Sequence, residues 1–142
     1  MKKIVAFILV VCISLGLIGC NGVDETPRDA DCQPLEYEIM DENDVSQKIK
    51  EKMFEKQKDS YFFTYSDGNE MYIAIGYGEK PTGGYSIKIE SVDLCGEVII
   101  VKTELIEPSK EDVVATAITY PSIILKVADM GDEIDVEVHS TK

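Results

Sequence analysis

Short runs of alternating apolar and polar residues dominate the chain from residue 61 onward. A two-residue period is typical of strands that bury one face. The clearest example follows residue 84, where Tyr85, Ile87 and Ile89 alternate with polar side chains. The pattern predicts strands over Tyr61–Tyr65, Glu70–Tyr77, Tyr85–Val92, Val98–Glu107, Val113–Tyr120, Ser122–Val127 and Glu133–His139.

One segment has a helical period instead. Val45, Ile49 and Met53 follow one another at four-residue spacing, which predicts an amphipathic helix over Val45–Lys58. Regularly spaced short strands separated by turn signals favour an antiparallel sheet structure. We therefore predict a mainly β domain over residues 45–142, a small antiparallel sandwich or barrel with one N-terminal amphipathic helix.

The first nineteen residues have the plan of a secretory signal peptide: Lys2 and Lys3, then an apolar run, then small residues. The segment Leu17-Ile18-Gly19-Cys20 resembles the bacterial lipobox. That resemblance implies cleavage after Gly19, diacylglycerol on the sulfur of Cys20, and an extracytoplasmic protein anchored to the bacterial membrane. The alternatives are an uncleaved anchor and an ordinary signal peptide.

Residues 20–44 are acidic and contain two prolines. This composition predicts a tether between the lipid and the domain. Cys12 is lost with the signal peptide and Cys20 is lipidated, which leaves Cys32 and Cys95. Disulfides persist in extracytoplasmic compartments, so we expect these two to pair, although two free thiols are the alternative.

Charge excludes one class of partner. Residues 20–142 hold twelve of the 14 Lys and Arg residues and all 27 Asp and Glu residues, a net charge of −15. Nucleic-acid binding requires clustered basic side chains, so no nucleic-acid partner is expected. Solubility and mutual repulsion are the favoured interpretation of this charge, and attraction to a basic partner patch or to divalent cations is the alternative.

The loop between the second and third predicted strands carries the most distinctive motif. It reads Lys80-Pro81-Thr82-Gly83-Gly84-Tyr85, and Ala117-Ile118-Thr119-Tyr120-Pro121-Ser122 follows two strands later. Together these motifs resemble the C-terminal domain of the PrcB-type protease-complex lipoproteins, over roughly residues 71–127. The resemblance implies a non-catalytic protein that supports a surface protease complex.

The same loop resembles a second family. Pro81-Thr82-Gly83-Gly84-Tyr85 keeps the P-T-x-G-Y of chagasin-like cysteine protease inhibitors, but Lys80 replaces their leading Asn. Their later Gly-rich and Arg-Pro-aromatic loops have no counterpart here. A protease inhibitor on the cell surface is therefore the alternative function.

We predict that Lys80, Pro81, Thr82, Gly83, Gly84 and Tyr85 contact the partner, with Tyr120 and Pro121 nearby. Glycines let a partner backbone approach, and tyrosine is a rigid amphipathic anchor. The competing interpretation is a tight turn in which Tyr85 starts the core, and both stay open.

No catalytic constellation is visible in the sequence. The lone histidine, His139, lies near the C-terminus, and there is no CxxC pair, EF-hand, P-loop or dinucleotide fingerprint. Paired carboxylates of a glycosidase-like site are compatible with so acidic a chain. We nevertheless expect no enzymatic activity, no metal site and no cofactor.

Overall fold

The computed structural model describes residues 32–141. The predicted signal peptide 1–19, the lipidation site Cys20 and the tether up to residue 31 lie outside these residues. The described part holds one α-helix, α1 (Gln47–Lys56). Its strands are β1 (Cys32–Pro34), β2 (Glu38–Met40), β3 (Ser60–Ser66), β4 (Glu70–Tyr77), β5 (Ser86–Cys95), β6 (Val98–Ile106), β7 (Ser122–Ala128) and β8 (Asp135–Thr141).

The strands form two separate four-stranded sheets. The first sheet has the order β1-β5-β6-β8 and the second has the order β2-β7-β4-β3. The prediction of a mainly β fold is confirmed, while the barrel alternative is wrong because the two sheets do not close on each other. The strand pairs are antiparallel except one.

That exception is the parallel pairing of β8 with β6, in which Val98 lies opposite Asp135. The purely antiparallel prediction is therefore wrong at this edge. The chain leaves β6, crosses to the second sheet to form β7, and only then returns to the first sheet. Because no hairpin joins β6 to β8, the returning strand is free to run parallel, as crossover connections allow.

A shared apolar core fixes the two sheets face to face. Ile73 of β4 and Leu125 of β7 have no exposed surface, and neither do Ile99 and Val101 of β6. Together with their neighbours they form one cluster that draws on both sheets. Its buried members are Met71, Ile73, Ile75, Val92, Ile99, Val101, Leu125 and Val127.

The helix covers the other face of the second sheet. Ile49 and Met53 of α1 pack with Phe63, Ala74 and Ile124 of that sheet in a second buried cluster. This confirms the predicted helical face, although the helix is shorter than Val45–Lys58. Among residues 32–141, no helix combines the length and the apolar character needed to cross a membrane.

Two further predicted strands differ from the structure. Val113–Tyr120 is an irregular connection between Pro108 and Pro121, and it forms a single isolated bridge, from Thr119 to Lys80. Strand β5 continues to Cys95 after its register shifts between Ile89 and Ser91. A bulge of this kind moves the inward face by one residue, which the simple alternation does not anticipate.

Residues 32–44 of the predicted tether take part in the sheets. Strand β1 pairs with β5 and β2 pairs with β7. Lys126 of β7 strengthens the second pairing, because its Nζ lies 2.6 Å from Glu38 of β2 and 3.6 Å from Glu70 of β4. The ordered unit therefore extends at least to Cys32.

A disulfide joins Cys32 to Cys95. The two residues lie opposite each other in the β1–β5 register, with Cα atoms 4.1 Å apart. The bond closes a long loop, because its two cysteines are separated by 63 positions in the sequence. Because β1 has only three residues, this covalent link does most to hold it against β5.

Replacing Cys32 and Cys95 together by serine is expected to lower the free energy of unfolding by about 4 kcal/mol, since a loop of this length gains much entropy when opened. Urea titration of the oxidised protein and of the variant measures the difference. A reductant should reproduce the loss in the parent and add nothing in the variant. Equal stability of parent and variant would contradict this account.

Candidate functional site

Two loops come together at one end of the sheets. The first loop, residues 78–85, joins β4 to β5, and the second loop, residues 107–121, joins β6 to β7. Because the strands pair antiparallel, the end of β4 at Tyr77 lies beside the start of β7 at Ser122. We call residues 78–85 and 107–121 the paired loops.

Backbone hydrogen bonds hold the paired loops together. The backbone N–H of Lys80 donates to the Thr119 carbonyl at 2.9 Å, and the N–H of Thr119 donates to the Lys80 carbonyl at 3.0 Å. The N–H of Gly83 donates to the carbonyl of Ala115 at 2.9 Å, and the Thr119 hydroxyl donates to the carbonyl of Thr82 at 2.6 Å. The second loop therefore has a defined backbone position although it contains no regular strand.

Gly84 meets a steric requirement of this arrangement. Its φ is +85°, in the left-handed region that side chains rarely adopt. A Cβ at this position would lie 2.6 Å from Val114 Cγ1 and 3.0 Å from Pro108 Cβ. At Gly83, by contrast, the nearest atom would be 3.6 Å away. Gly84 therefore serves the packing of the two loops, which favours the turn interpretation for this one residue.

The other predicted site residues lie around the same junction. The Tyr120 hydroxyl donates a hydrogen bond to the Glu79 carboxylate at 3.3 Å. Desolvation of the hydroxyl is the main cause that raises the pKa of Tyr120, and the negative charge of Glu79 is the second. The Pro121 carbonyl accepts the N–H of Tyr77 at 3.0 Å. Lys80 places its ammonium 5.9 Å from the centroid of the Tyr85 ring, a cation–π distance. The structure thus brings the loop Lys80–Tyr85 next to Tyr120 and Pro121.

Sequence reasoning missed the apolar side chains on the second loop. Val113 is fully exposed, at 104%, and Ile118 is 58% exposed. The predicted strand over Val113–Tyr120 would have alternated such residues into a core, so their exposure was not anticipated. The Pro108–Asp112 break and the small residues Ala115–Ala117 are the signals that favour an irregular loop here.

Residues 32–141 contain one histidine, His139, and two cysteines, Cys32 and Cys95. Within residues 32–141, no cluster of three or more His, Cys, Asp or Glu side chains could hold a metal ion. His139 lies on the edge strand β8, where Nε2 contacts the Glu137 carboxylate at 3.1 Å. Both cysteines of the described part are joined to each other, so neither offers a thiolate.

The family model described as PrcB C-terminal matches residues 71–128. The predicted family resemblance is confirmed for this segment. The PrcB C-terminal segment covers about two fifths of the chain and runs from the first residues of β4 to the end of β7. Both of the paired loops lie inside it, as do all the predicted partner-binding residues.

One curated relative is an uncharacterized protein of Methanocaldococcus jannaschii, 35% identical over 74 residues. The aligned region is 52% of this chain and 44% of that protein. The chain therefore spans less than half the length of this relative. No solved structure matches the chain.

Gly84→Ala is expected to destabilise the domain by about 2–4 kcal/mol, from the positive φ and the contact with Val114 combined. Gly83→Ala is the matched control, and its cost should stay below about 1 kcal/mol because its Cβ has room. Urea unfolding of both variants measures the difference. Equal losses at the two glycines would refute the steric role of Gly84.

Proposed function

We propose that this protein is a non-catalytic lipoprotein of the bacterial cell envelope that binds a protein partner and helps to assemble or stabilise it, and that the partner is a protease complex. The observation that carries the proposal is the display of Val113 and Ile118 on loops whose backbone is hydrogen-bonded. Exposed apolar side chains on an ordered loop supply surface that a protein partner would remove from water.

Preorganisation of the paired loops supports a binding role. Four hydrogen bonds between the loops, described above, fix the second loop before any partner arrives. A loop that is already ordered loses less conformational entropy on binding, so more of its contact energy contributes to affinity. Tyr85 and Tyr120 lie half-buried beside the same junction and offer amphipathic rings to a partner.

The family match supports the choice of a protease complex. The PrcB C-terminal segment includes both of the paired loops, so the region that carries the resemblance also carries the exposed apolar residues. Fold alone does not determine function. The partner class therefore rests on the family resemblance, and the contact surface rests on the geometry of the loops.

Strand β1 lies at the end of the domain that is remote from the paired loops. Cys32 pairs with Cys95 at the end of β5 opposite to Ser86, where the first loop ends. Ten residues of strand separate these ends, which corresponds to roughly 30 Å. A tether that enters at Cys32 would therefore attach to the domain at the end remote from the paired loops.

The inhibitor alternative has weaker support. Its P-T-x-G-Y motif is present, but Lys80, Thr82 and Gly83 already engage the second loop through their backbones. A loop that enters a protease cleft needs those groups for the protease. Addition of the protein at micromolar concentration to a papain-type protease decides this alternative, because an inhibitor would slow peptide hydrolysis.

Crosslinking in intact cells with a tagged, Cys20-anchored protein is expected to capture an envelope protease or its accessory subunit, identified by mass spectrometry. Ile118→Asp should reduce this capture severalfold because it places a charge in the contact surface. Ile39→Asp is the matched control, since Ile39 is 56% exposed on β2 and lies outside the paired loops. Equal capture by both variants, with unchanged melting temperatures, would exclude the paired loops as the contact.

The lipid anchor has its own test. Growth with a labelled fatty acid is expected to label the protein through Cys20, and Cys20→Ser should abolish the label. Cys12→Ser is the control and should retain it, because the predicted cleavage removes Cys12. Labelling that survives Cys20→Ser would disprove the lipobox assignment.

A further inference from the structure

Strand β3 is an unprotected edge of the second sheet. Among the described residues, the edges of the first sheet are β1, with three residues, and β8, with seven. The edges of the second sheet are β2, with three residues, and β3, with seven. Proteins usually protect long edges with charges, prolines or bulges. Strand β8 carries Asp135, Glu137 and His139, whereas β3 has no charged residue, no proline and an unbroken register with β4.

The free backbone groups of β3 belong to alternate residues. Paired residues of an antiparallel ladder either exchange hydrogen bonds or direct their backbone groups away from each other. Tyr77 pairs with Ser60 but donates its N–H to Pro121, on the β7 side. Ser60 therefore directs its own N–H and C=O to the open edge, and so do Phe62, Thr64 and Ser66 at two-residue spacing.

The sequence of β3 reads almost the same in both directions. The strand reads S-Y-F-F-T-Y-S with Phe63 at its centre. Serine occupies both ends, tyrosine occupies the position next to each end, and only Phe62 and Thr64 break the symmetry. A strand of this kind is complementary to itself when a twofold axis passes through Phe63, as an isologous interface requires. It would pair Tyr61 with Tyr65 of the second copy, and aromatic cross-strand pairs stabilise sheets.

The absence of charge on β3 permits a second copy to approach at this edge. Two chains with a net charge of −13 repel each other over most of their surfaces. The seven residues of β3 form a strip without charge, so two copies can approach there without placing carboxylates opposite each other along the strand. The Lys52 ammonium lies beside this strand, with its Nζ 4.5 Å from the centre of the Phe63 ring.

Exposed apolar surface lies along the same edge. Phe62 is 47% exposed, and it borders a cavity of about 170 Å³ between the β3 and β8 edges. Ile75, Tyr77 and Val138 contribute to the lining of this cavity, and the Tyr77 hydroxyl bonds to Thr103 at 2.7 Å. A strand added to β3 would cover Phe62 and the mouth of this cavity.

We propose that β3 pairs antiparallel with β3 of a second copy of this chain, centred on Phe63, so that the two second sheets form one eight-stranded sheet. Ser60 then lies opposite Ser66 of the other copy, and Phe62 lies opposite Thr64. Both are hydrogen-bonded pairs, because these residues carry the free backbone groups.

The pairing is reversible and depends on salt. Stable interfaces bury about 1,200–2,000 Å² in total, and a pairing confined to seven residues is small by that measure. Asp59 and Asp67 flank β3, and the register places each opposite the other in the second copy. Salt screens this repulsion and the net charge, so the dimer is favoured at higher ionic strength.

The register is tested by disulfide formation in the full chain, with Cys12 and Cys20 replaced by serine so that added cysteines are the only free thiols. Ser60→Cys and Ser66→Cys proteins are mixed under mild oxidation. The mixed pair should crosslink about tenfold faster than either protein alone, because only opposite residues reach a high effective concentration. Two Ser60 residues would lie roughly 20 Å apart in this register.

Two lysine variants provide the matched controls. Thr64→Lys in β3 should reduce crosslinking of the mixed pair to the single-cysteine rate, and Ser140→Lys in β8 should leave it unchanged. Both residues are exposed on edge strands, and melting curves verify folding. The proposal is overturned if each protein crosslinks alone as fast as the mixture, if the mixture does not crosslink, or if only Ser140→Lys blocks it.

Discussion

Burial of the second sheet on both faces is the constraint on which the rest of this structure depends. Ile73 and Leu125 point to the first sheet, while Ala74 and Ile124 point to the helix, and all four are at most 2% exposed. The two central strands must therefore be apolar on both sides, and each side chain must suit the layer that it meets. Ala74 is small because the helix packs directly over it, whereas the branched residues fill the wider space between the sheets.

The central strands also determine where the loops go. Their ends at Tyr77 and Ser122 lie side by side, which places residues 78–85 and 107–121 in contact before any loop residue is considered. The PrcB C-terminal segment begins and ends with these same strands. Strands β1, β2, β3 and β8 and the helix complete both layers from outside that segment. The matched segment therefore supplies the paired loops, while the rest of the chain supplies the helix cover and the edges.

The sequence predicts most strands because their faces differ in burial, as in β8, where Val136 and Val138 pack against the core and Glu137 between them is exposed. It also favours the pairing of Cys32 with Cys95, because these are the cysteines that the predicted processing leaves. It could not predict the second loop, since β-branched residues such as Val113 and Val114 indicate a strand unless tertiary contacts override them. Strand β8 can pair parallel with β6 because the intervening strand β7 lies in the other sheet. The sheet to which β7 belongs is not determined by its own residue pattern.

The geometry of a β3 dimer limits how it could lie on a membrane. Antiparallel pairing puts the two Cys32 residues at opposite ends of the joined sheet, because each lies at the end of the domain remote from its paired loops. Residues 20–31, fully extended, reach at most about 40 Å, which exceeds the roughly 30 Å of β5. The lipid anchors proposed at Cys20 would thus both reach one membrane if the twofold axis is perpendicular to it and the strands run parallel to its surface. The paired loops of the two copies then point in opposite directions along the membrane, where each is open to a partner that is itself held at the surface.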